Sequence, residues 1–156
     1  MDLNALIGQL GTRLGLPALA LDPQTRSCRL VFDSEYPVDI EATDEETFFL
    51  HATVCEVQPD APAAVFSRVL AAGLFGRHTG KASFGFDEQR LELVLFQRLQ
   101  LPGTDLQGLE SELECFVNVL CHWCRLLARG DQPDFAATPA IDPLLATLTI
   151  PGAIRG

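Results

Sequence analysis

The apolar residues of this chain change period repeatedly, from helical to extended and back, and the order of those changes constrains the fold more than any other feature. Residues 2–14 place Leu3, Leu6, Ile7, Leu10 and Leu14 on one helical stripe. Asp2 is suited to cap its start, and Gly15 with Pro17 beyond stops it. Three extended runs follow. Cys28–Phe32 is the first, and Asp33-Ser34 supplies a turn. Tyr36, Val38, Ile40 and Ala42 then alternate with Pro37, Asp39 and Glu41, the period of a strand with one wet face. Pro37 cannot donate to a ladder, which points to an edge. After the acidic turn Asp44-Glu45-Glu46 comes Thr47–Val57, rich in β-branched and aromatic residues. The three runs read as an antiparallel meander.

A second helix is expected from Asp60-Ala61-Pro62, a capping acid followed by a first-turn proline, to about Phe75. Between Ala61 and Gly76 its only polar side chains are Ser67 and Arg68. Val65, Phe66, Val69, Leu70, Leu74 and Phe75 spread around more than one face, so such a helix needs cover on more than one side. Beyond the loop Gly76–Gly80, Ala82, Phe84 and Phe86 alternate up to the turn Asp87-Glu88-Gln89, and Leu91, Leu93 and Leu95 continue the pattern. Pro102-Gly103 breaks the chain. Thr104-x-x-Gln107 reads as a capping box for a long helix carrying Leu106, Leu109, Leu113, Phe116, Val117, Leu120, Trp123 and Leu127, which Gly130 ends. The order is α-β-β-β-α-β-β-α, an α+β fold with helices packed on a twisted antiparallel sheet. Residues 1–130 form the expected domain. Residues 131–156, with four Pro and five Ala, read as a tail or extension whose one structured candidate is Leu144–Ile150.

Charge narrows the choice of partner. Asp and Glu number 21 against 11 Lys and Arg, a net −10. Such a surface repels phosphate, which argues against nucleic acid and anionic membrane and for a basic or amphipathic protein segment. The start Met1-Asp2-Leu3-Asn4 lacks a cationic n-region, and no run approaches the roughly 18–20 apolar residues of a membrane span. Five scattered cysteines, an odd number, suit reduced cytosolic thiols better than a disulfide framework. The expected location is the cytoplasm.

No motif carries chemistry. Cys121-His122-Trp123-Cys124 is a C-x-x-C near the end of the last helix, whereas a redox dithiol belongs at a helix N-terminus. A zinc site needs further ligands that no second C-x-x-C or H-x₃₋₅-H supplies. Gly76-Arg77-His78-Thr79-Gly80-Lys81-Ala82 has one residue too few between its glycines for a phosphate loop, and Ala82 stands where Ser or Thr belongs. His51, His78 and His122 fall in no triad context, and Glu110, Glu112 and Glu114 read as solvated surface. The expectation is a protein without catalytic residue, metal or cofactor. A small enzyme would need a pocket of convergent titratable groups, and a generic α+β domain would leave the apolar helix unexplained.

The stretch Leu70–Leu101 is the most informative. The end of an apolar helix, a glycine-containing loop, Gly80-Lys81-Ala82-Ser83-Phe84-Gly85-Phe86-Asp87, a short turn and Leu91-Glu92-Leu93 follow one another, and a long helix with Phe116 and Trp123 comes after. In this order, and in its acidity and size, the chain resembles the class I chaperones of bacterial type III secretion, the Tir-chaperone-like (CesT-type) family, over about residues 1–129. The resemblance implies a homodimer that holds the N-terminal segment of a secreted effector, largely extended, and keeps it soluble and export-competent. A regulatory chaperone that also sequesters an antiactivator and couples secretion to transcription is the alternative. An extended client gains main-chain hydrogen bonds at a sheet edge and pocket contacts from alternate side chains. The expected self-contact comprises Val65, Phe66, Val69, Leu70, Leu74 and Phe84. The expected client contacts are Leu3, Ile7, Phe32, Val38, Ile40 and Phe49, with the face of each strand open to a one-residue shift in register.

Overall fold

Five strands, β1 (Ser27–Phe32), β2 (Tyr36–Ala42), β3 (Thr47–Glu56), β4 (Ser83–Asp87) and β5 (Glu92–Gln100), pair antiparallel in the order β1-β2-β3-β5-β4. Three helices, α1 (Leu3–Arg13), α2 (Pro62–Gly73) and α3 (Leu106–Ala128), complete the expected α-β-β-β-α-β-β-α order. The computed structural model describes residues 2–59 and 62–129. The expected cap at Asp60, the stop at Gly130 and the extension 131–156 lie outside the described residues.

Local chemistry accounts for most boundaries. The Asp2 carboxylate accepts from the Ala5 amide at 2.7 Å and caps α1. At the start of α3 the cap is Asp105, which accepts from the Gly108 amide at 2.8 Å. Thr104, expected in that role, instead donates its hydroxyl to the Gln100 carbonyl at 2.6 Å and closes the turn after β5. Asp33 and Ser34 both take positive φ between β1 and β2, and Phe32 O accepts from Glu35 N. Pro37 does not mark an edge, because β2 lies between β1 and β3. Pro37 pairs with Val31, while the β2–β3 ladder begins only at Asp39, so the missing donor costs no sheet hydrogen bond.

α3 lies along the sheet against β3 and β2, and α1 packs beside it. Leu109, Leu113, Phe116, Val119, Leu120 and Trp123 of α3 and Leu3, Leu6, Ile7 and Leu10 of α1 are buried against one sheet face. That face is built by Leu30, Val38, Ile40, Phe48, Leu50, Ala52, Leu93 and Leu95. Each large side chain so buried contributes roughly 1.5–3 kcal/mol. Arg13 bridges Glu110 at 3.2 Å. Glu112 is paired with Lys81 and accepts from the buried Gln97 amide at 2.6 Å, so it holds β5 and the loop before β4 to α3 rather than serving as solvated surface. α2 packs at the β4 end of the sheet.

Candidate partner-binding surfaces

Strand alternation sends the remaining side chains of the sheet to its second face, which no helix covers among the described residues. Phe49 and Phe96 meet there with ring centroids 6.3 Å apart, beside Val94. Gly85 lies next to Phe96, where an added Cβ would come within 3.2 Å of the ring. The aromatic pair is therefore supported from the β4 side by bare backbone.

Polar side chains of fixed orientation rim this floor. The Arg29 guanidinium donates two hydrogen bonds to the Asp39 carboxylate, both 2.8 Å, and that partner holds the arginine's pKa above its ordinary value. His51 Nε2 lies 3.0 Å from Glu41, and Thr53 donates to Glu92 at 3.2 Å. Asp87 accepts from the amides of Gln89 and Arg90 at the β4–β5 turn. The result is a shallow depression with an aromatic floor and a charged border, the composition of a surface that takes an amphipathic segment.

Among the described residues, the free sides of β1 and β4 end the sheet. Ala42 N donates to Arg26 O, so by alternation Cys28 and Leu30 turn their main-chain groups to β2, whereas Ser27, Arg29 and Val31 turn theirs outward. Ser27 O accepts from Asp22 N. The outward groups of Arg29 and Val31 have no backbone partner among the described residues. The Val31 side chain is itself exposed.

A third surface is the outer side of α2. Leu70 is 74% exposed, Leu74 52% and Phe75 96%. α2 stops at Gly73, short of the expected Phe75, and Leu74–Gly76 form a 3₁₀ turn. Phe75 there takes φ 55°, a left-handed conformation that costs a non-glycine residue roughly 1–2 kcal/mol. That geometry holds the ring out in solvent. α2 is thus covered on one side and bare on the other, as its all-round apolar character requires of a helix awaiting a second cover.

The expected contact residues divide accordingly. Of the client set, Leu3 and Ile7 are buried, and Val38 and Ile40 have no exposed surface at all. These four point into the core between the sheet and helices α1 and α3, which closes them to any partner in this arrangement. Phe32 and Phe49 remain half-buried and reachable. Of the self-contact set, Val69 is buried. Phe66 packs edge-on to Phe86 at 4.9 Å, Phe84 packs on Trp123 at 5.1 Å, and Val65 is half-buried. Leu70 and Leu74 face outward. The sequence places Val94 and Phe96 on the face of β5 opposite Leu93 and Leu95, but they were not among the expected client contacts. Phe75, the most exposed large apolar side chain among the described residues, was not in the expected self-contact set.

Burial decides the cysteine chemistry. Cys28, Cys121 and Cys124 are each pushed up to about 11, and Cys55 and Cys115 are raised in the same direction, by desolvation of the thiolate. Cys124 donates its thiol to Val54 O at 3.5 Å. A thiol held protonated at neutral pH is a poor nucleophile. Desolvation likewise lowers the His122 pKa, with His78 adding to it. Among the described residues no group of three or more His, Cys, Asp or Glu is placed to hold a metal, and no helix is long and apolar enough to cross a membrane.

Among the described residues, the antiparallel sheet is clad by helices on one side and carries an aromatic depression on the other, with an unpaired edge and an exposed apolar helix side, the features that suit contact with an extended polypeptide. The chain belongs to the Tir chaperone protein (CesT) family, whose model matches residues 5–124, and the resemblance read from Leu70–Leu101 is borne out. It is 30% identical over 127 residues to the transcriptional anti-antiactivator ExsC of Pseudomonas aeruginosa, covering 80% of this chain and 84% of that protein. The crystal structure of the ExsC–ExsE complex superposes with a TM-score of 0.66 at 26% identity, covering 81% of this chain and 97% of the other. The HopA1–SchA chaperone–effector complex shares the fold, with a TM-score of 0.62 at 14% identity over 78% and 91% of the two chains. The family is that of the Tir chaperone protein (CesT), and the fold is shared with a chaperone held in a chaperone–effector complex.

Proposed function

We propose that this protein is a bacterial cytoplasmic chaperone that binds the N-terminal segment of a type III secreted effector and keeps it soluble and competent for export. The family match across residues 5–124 carries the reading, since it spans nearly every element that builds the open face and the free edge. Phe49, Phe96 and the half-buried Phe32 supply apolar contact, and the outward groups of Arg29 and Val31 supply main-chain hydrogen bonds, the two components that an extended client requires. The acidic net charge of −10 favours a basic or amphipathic client over nucleic acid. The chaperone acts as a homodimer through the bare side of α2 and the 3₁₀ turn after it, with Leu70, Leu74 and Phe75 at the centre of the contact. No cofactor or catalytic step is required.

A second reading is favoured by one observation, the 30% identity to an anti-antiactivator over 127 residues. On that reading the same surfaces also sequester an antiactivator and couple secretion to transcription. The test is co-expression with the N-terminal ~100 residues of a secreted protein encoded beside this chain, a length that could wrap a dimer if extended. A stable complex of defined stoichiometry is expected. Absence of a complex with every neighbouring secreted or regulatory product would overturn the chaperone reading. Release of a neighbouring antiactivator when an export substrate is added would select the regulatory one.

A further inference from the structure

We infer that the client segment held on the open face turns round the β2–β3 end of the sheet into a second groove beside the start of α1, with basic side chains at the crossing set against Glu45 and Glu46. That path rests on the chaperone reading and adds to it a direction and a charge. The second groove lies between the first residues of α1, the β2–β3 turn and the loop after β5. Its volume is about 900 Å³, against about 450 Å³ for the aromatic depression. Leu21, Leu101 and Pro102 supply its apolar wall. Asp2, Asp44, Glu45 and Glu46 line it against one cation among the lining residues, Arg26.

The two depressions are the two sides of one stretch of chain. Glu41 and Thr43 line the aromatic one, and Ala42 and Asp44 line the other, as alternation at the end of β2 requires. Phe49 pairs with Glu41 and lies two positions from Thr47, where β3 begins. The aromatic floor therefore reaches the end of the sheet. A segment running off it in that direction meets the turn Asp44-Glu45-Glu46 before it meets the second groove. An extended chain crosses that end in a few residues, since packed sheet layers are about 10 Å deep and each residue spans ~3.3 Å.

The turn holds its charge outward. The Asp44 carboxylate accepts from the amides of Glu46 and Thr47 at 2.8 and 2.6 Å, Arg26 donates to Asp44 O at 2.9 Å, and Leu101 N donates to Glu46 O at 2.7 Å. Those bonds fix the main chain of the turn and direct Arg26 at a carbonyl rather than at a neighbouring carboxylate. The Glu45 and Glu46 carboxylates are exposed, with no hydrogen-bond or ion-pair partner among the described residues. A segment that places Arg or Lys at the crossing meets two open carboxylates on a fixed turn, and an acidic segment is repelled there. Complementarity of this kind sets register and direction more than it sets affinity. The polypeptide that fits is apolar over the floor, basic at the turn and apolar again in the second groove.

The test uses the full-length chain with the N-terminal ~100 residues of a secreted protein encoded beside it. The photoreactive residue p-benzoylphenylalanine is placed at Thr53, on the open face, and in a second variant at Pro102, in the second groove; both positions are exposed. Thr53 is six positions along β3 from Thr47, about 20 Å. Photocrosslinks from the two positions are expected to map to client residues no more than about 15 apart, with Arg or Lys between them. Glu45→Lys combined with Glu46→Lys is expected to weaken the client about fivefold or more at low salt, and the gap to the wild type is expected to close at high salt. Three results overturn the path and leave the chaperone reading standing: crosslinks from Thr53 but none from Pro102, Pro102 crosslinks to a second copy of this chain or to a distant part of the client, and an affinity unchanged by the charge reversal. A wild type that captures no client overturns the chaperone reading itself, and the path with it.

Discussion

Phe84 of β4 meets Trp123 of α3 edge to face, with ring centroids 5.1 Å apart and planes at 84°, while the indole N–H of Trp123 donates to His78 O at 3.0 Å. One buried side chain thereby joins the outermost strand, the loop before it and the longest helix. Trp123→Ala is expected to cost about 3–5 kcal/mol and Trp123→Phe about 1–3 kcal/mol, the second for the carbonyl left unpaired. Denaturant unfolding followed by circular dichroism measures both, and a loss below about 1 kcal/mol for the alanine variant contradicts the role.

Self-association is expected to depend on the outward side of α2 and the 3₁₀ turn that follows it. Leu74→Asp or Phe75→Asp, both at exposed positions, is expected to yield a folded monomer in light scattering at micromolar concentration. Val69→Asp is expected to unfold the chain instead, because that side chain is buried. A wild type that is monomeric under the same conditions removes the α2 contact.

Client binding is expected to separate the two faces of the sheet. Phe49→Asp, at a half-buried position on the open face, is expected to weaken the client at least tenfold while the dimer stays folded. Ile40→Asp places a charge where no surface is exposed and is expected to prevent folding. Affinity resting on apolar burial and main-chain hydrogen bonds survives raised salt, whereas affinity resting on the −10 charge falls as screening shortens. Isothermal titration at low and high salt, with Phe49→Asp beside the wild type, distinguishes the two.

Alkaline pH is expected to destabilise the fold. Cys28, Cys121 and Cys124 ionise near 11 in the folded state and near the ordinary thiol value of 9.0 when unfolded. Between those values the unfolded chain has lost protons that the folded chain retains, so stability falls as pH rises through that window and is intact below it. At pH 7.5 the same three thiols are expected to resist iodoacetamide in the native protein and react fully in denaturant, read by intact mass. Rapid native alkylation of Cys121 or Cys124 would falsify the assignment of desolvated, protonated thiols to these half-buried positions.

Much of this protein was legible before any coordinates. The alternation in Tyr36–Ala42, the helical stripe of Leu3, Leu6, Ile7 and Leu10 and the caps at Asp2 and Gly15 follow from short-range rules, because period and capping are properties of a few consecutive residues. The family was legible for a related reason, since the order of elements from Leu70 to Leu101 is a linear property of the chain.

Which face of each strand carries function was not legible. Val38 and Ile40 sit on the apolar side of a clean alternation and looked equally suited to a groove or to a core, and only the placement of α1 and α3 assigns them to the core. Phe48 and Phe49 are adjacent and must point to opposite sides. The helices cover Phe48, and the pairing of β3 with β5 brings Phe49 onto Phe96, 47 positions away in the chain. Thr104 and Asp105 could each have capped α3, and the turn after β5 settled it by taking the threonine hydroxyl for Gln100. The sequence by itself determined the elements and their order, because hydrophobic period and turn chemistry act locally. Tertiary structure alone decided which apolar surface is core and which is left for a partner, because a β-strand has two faces and only the helices that pack on one of them break the tie.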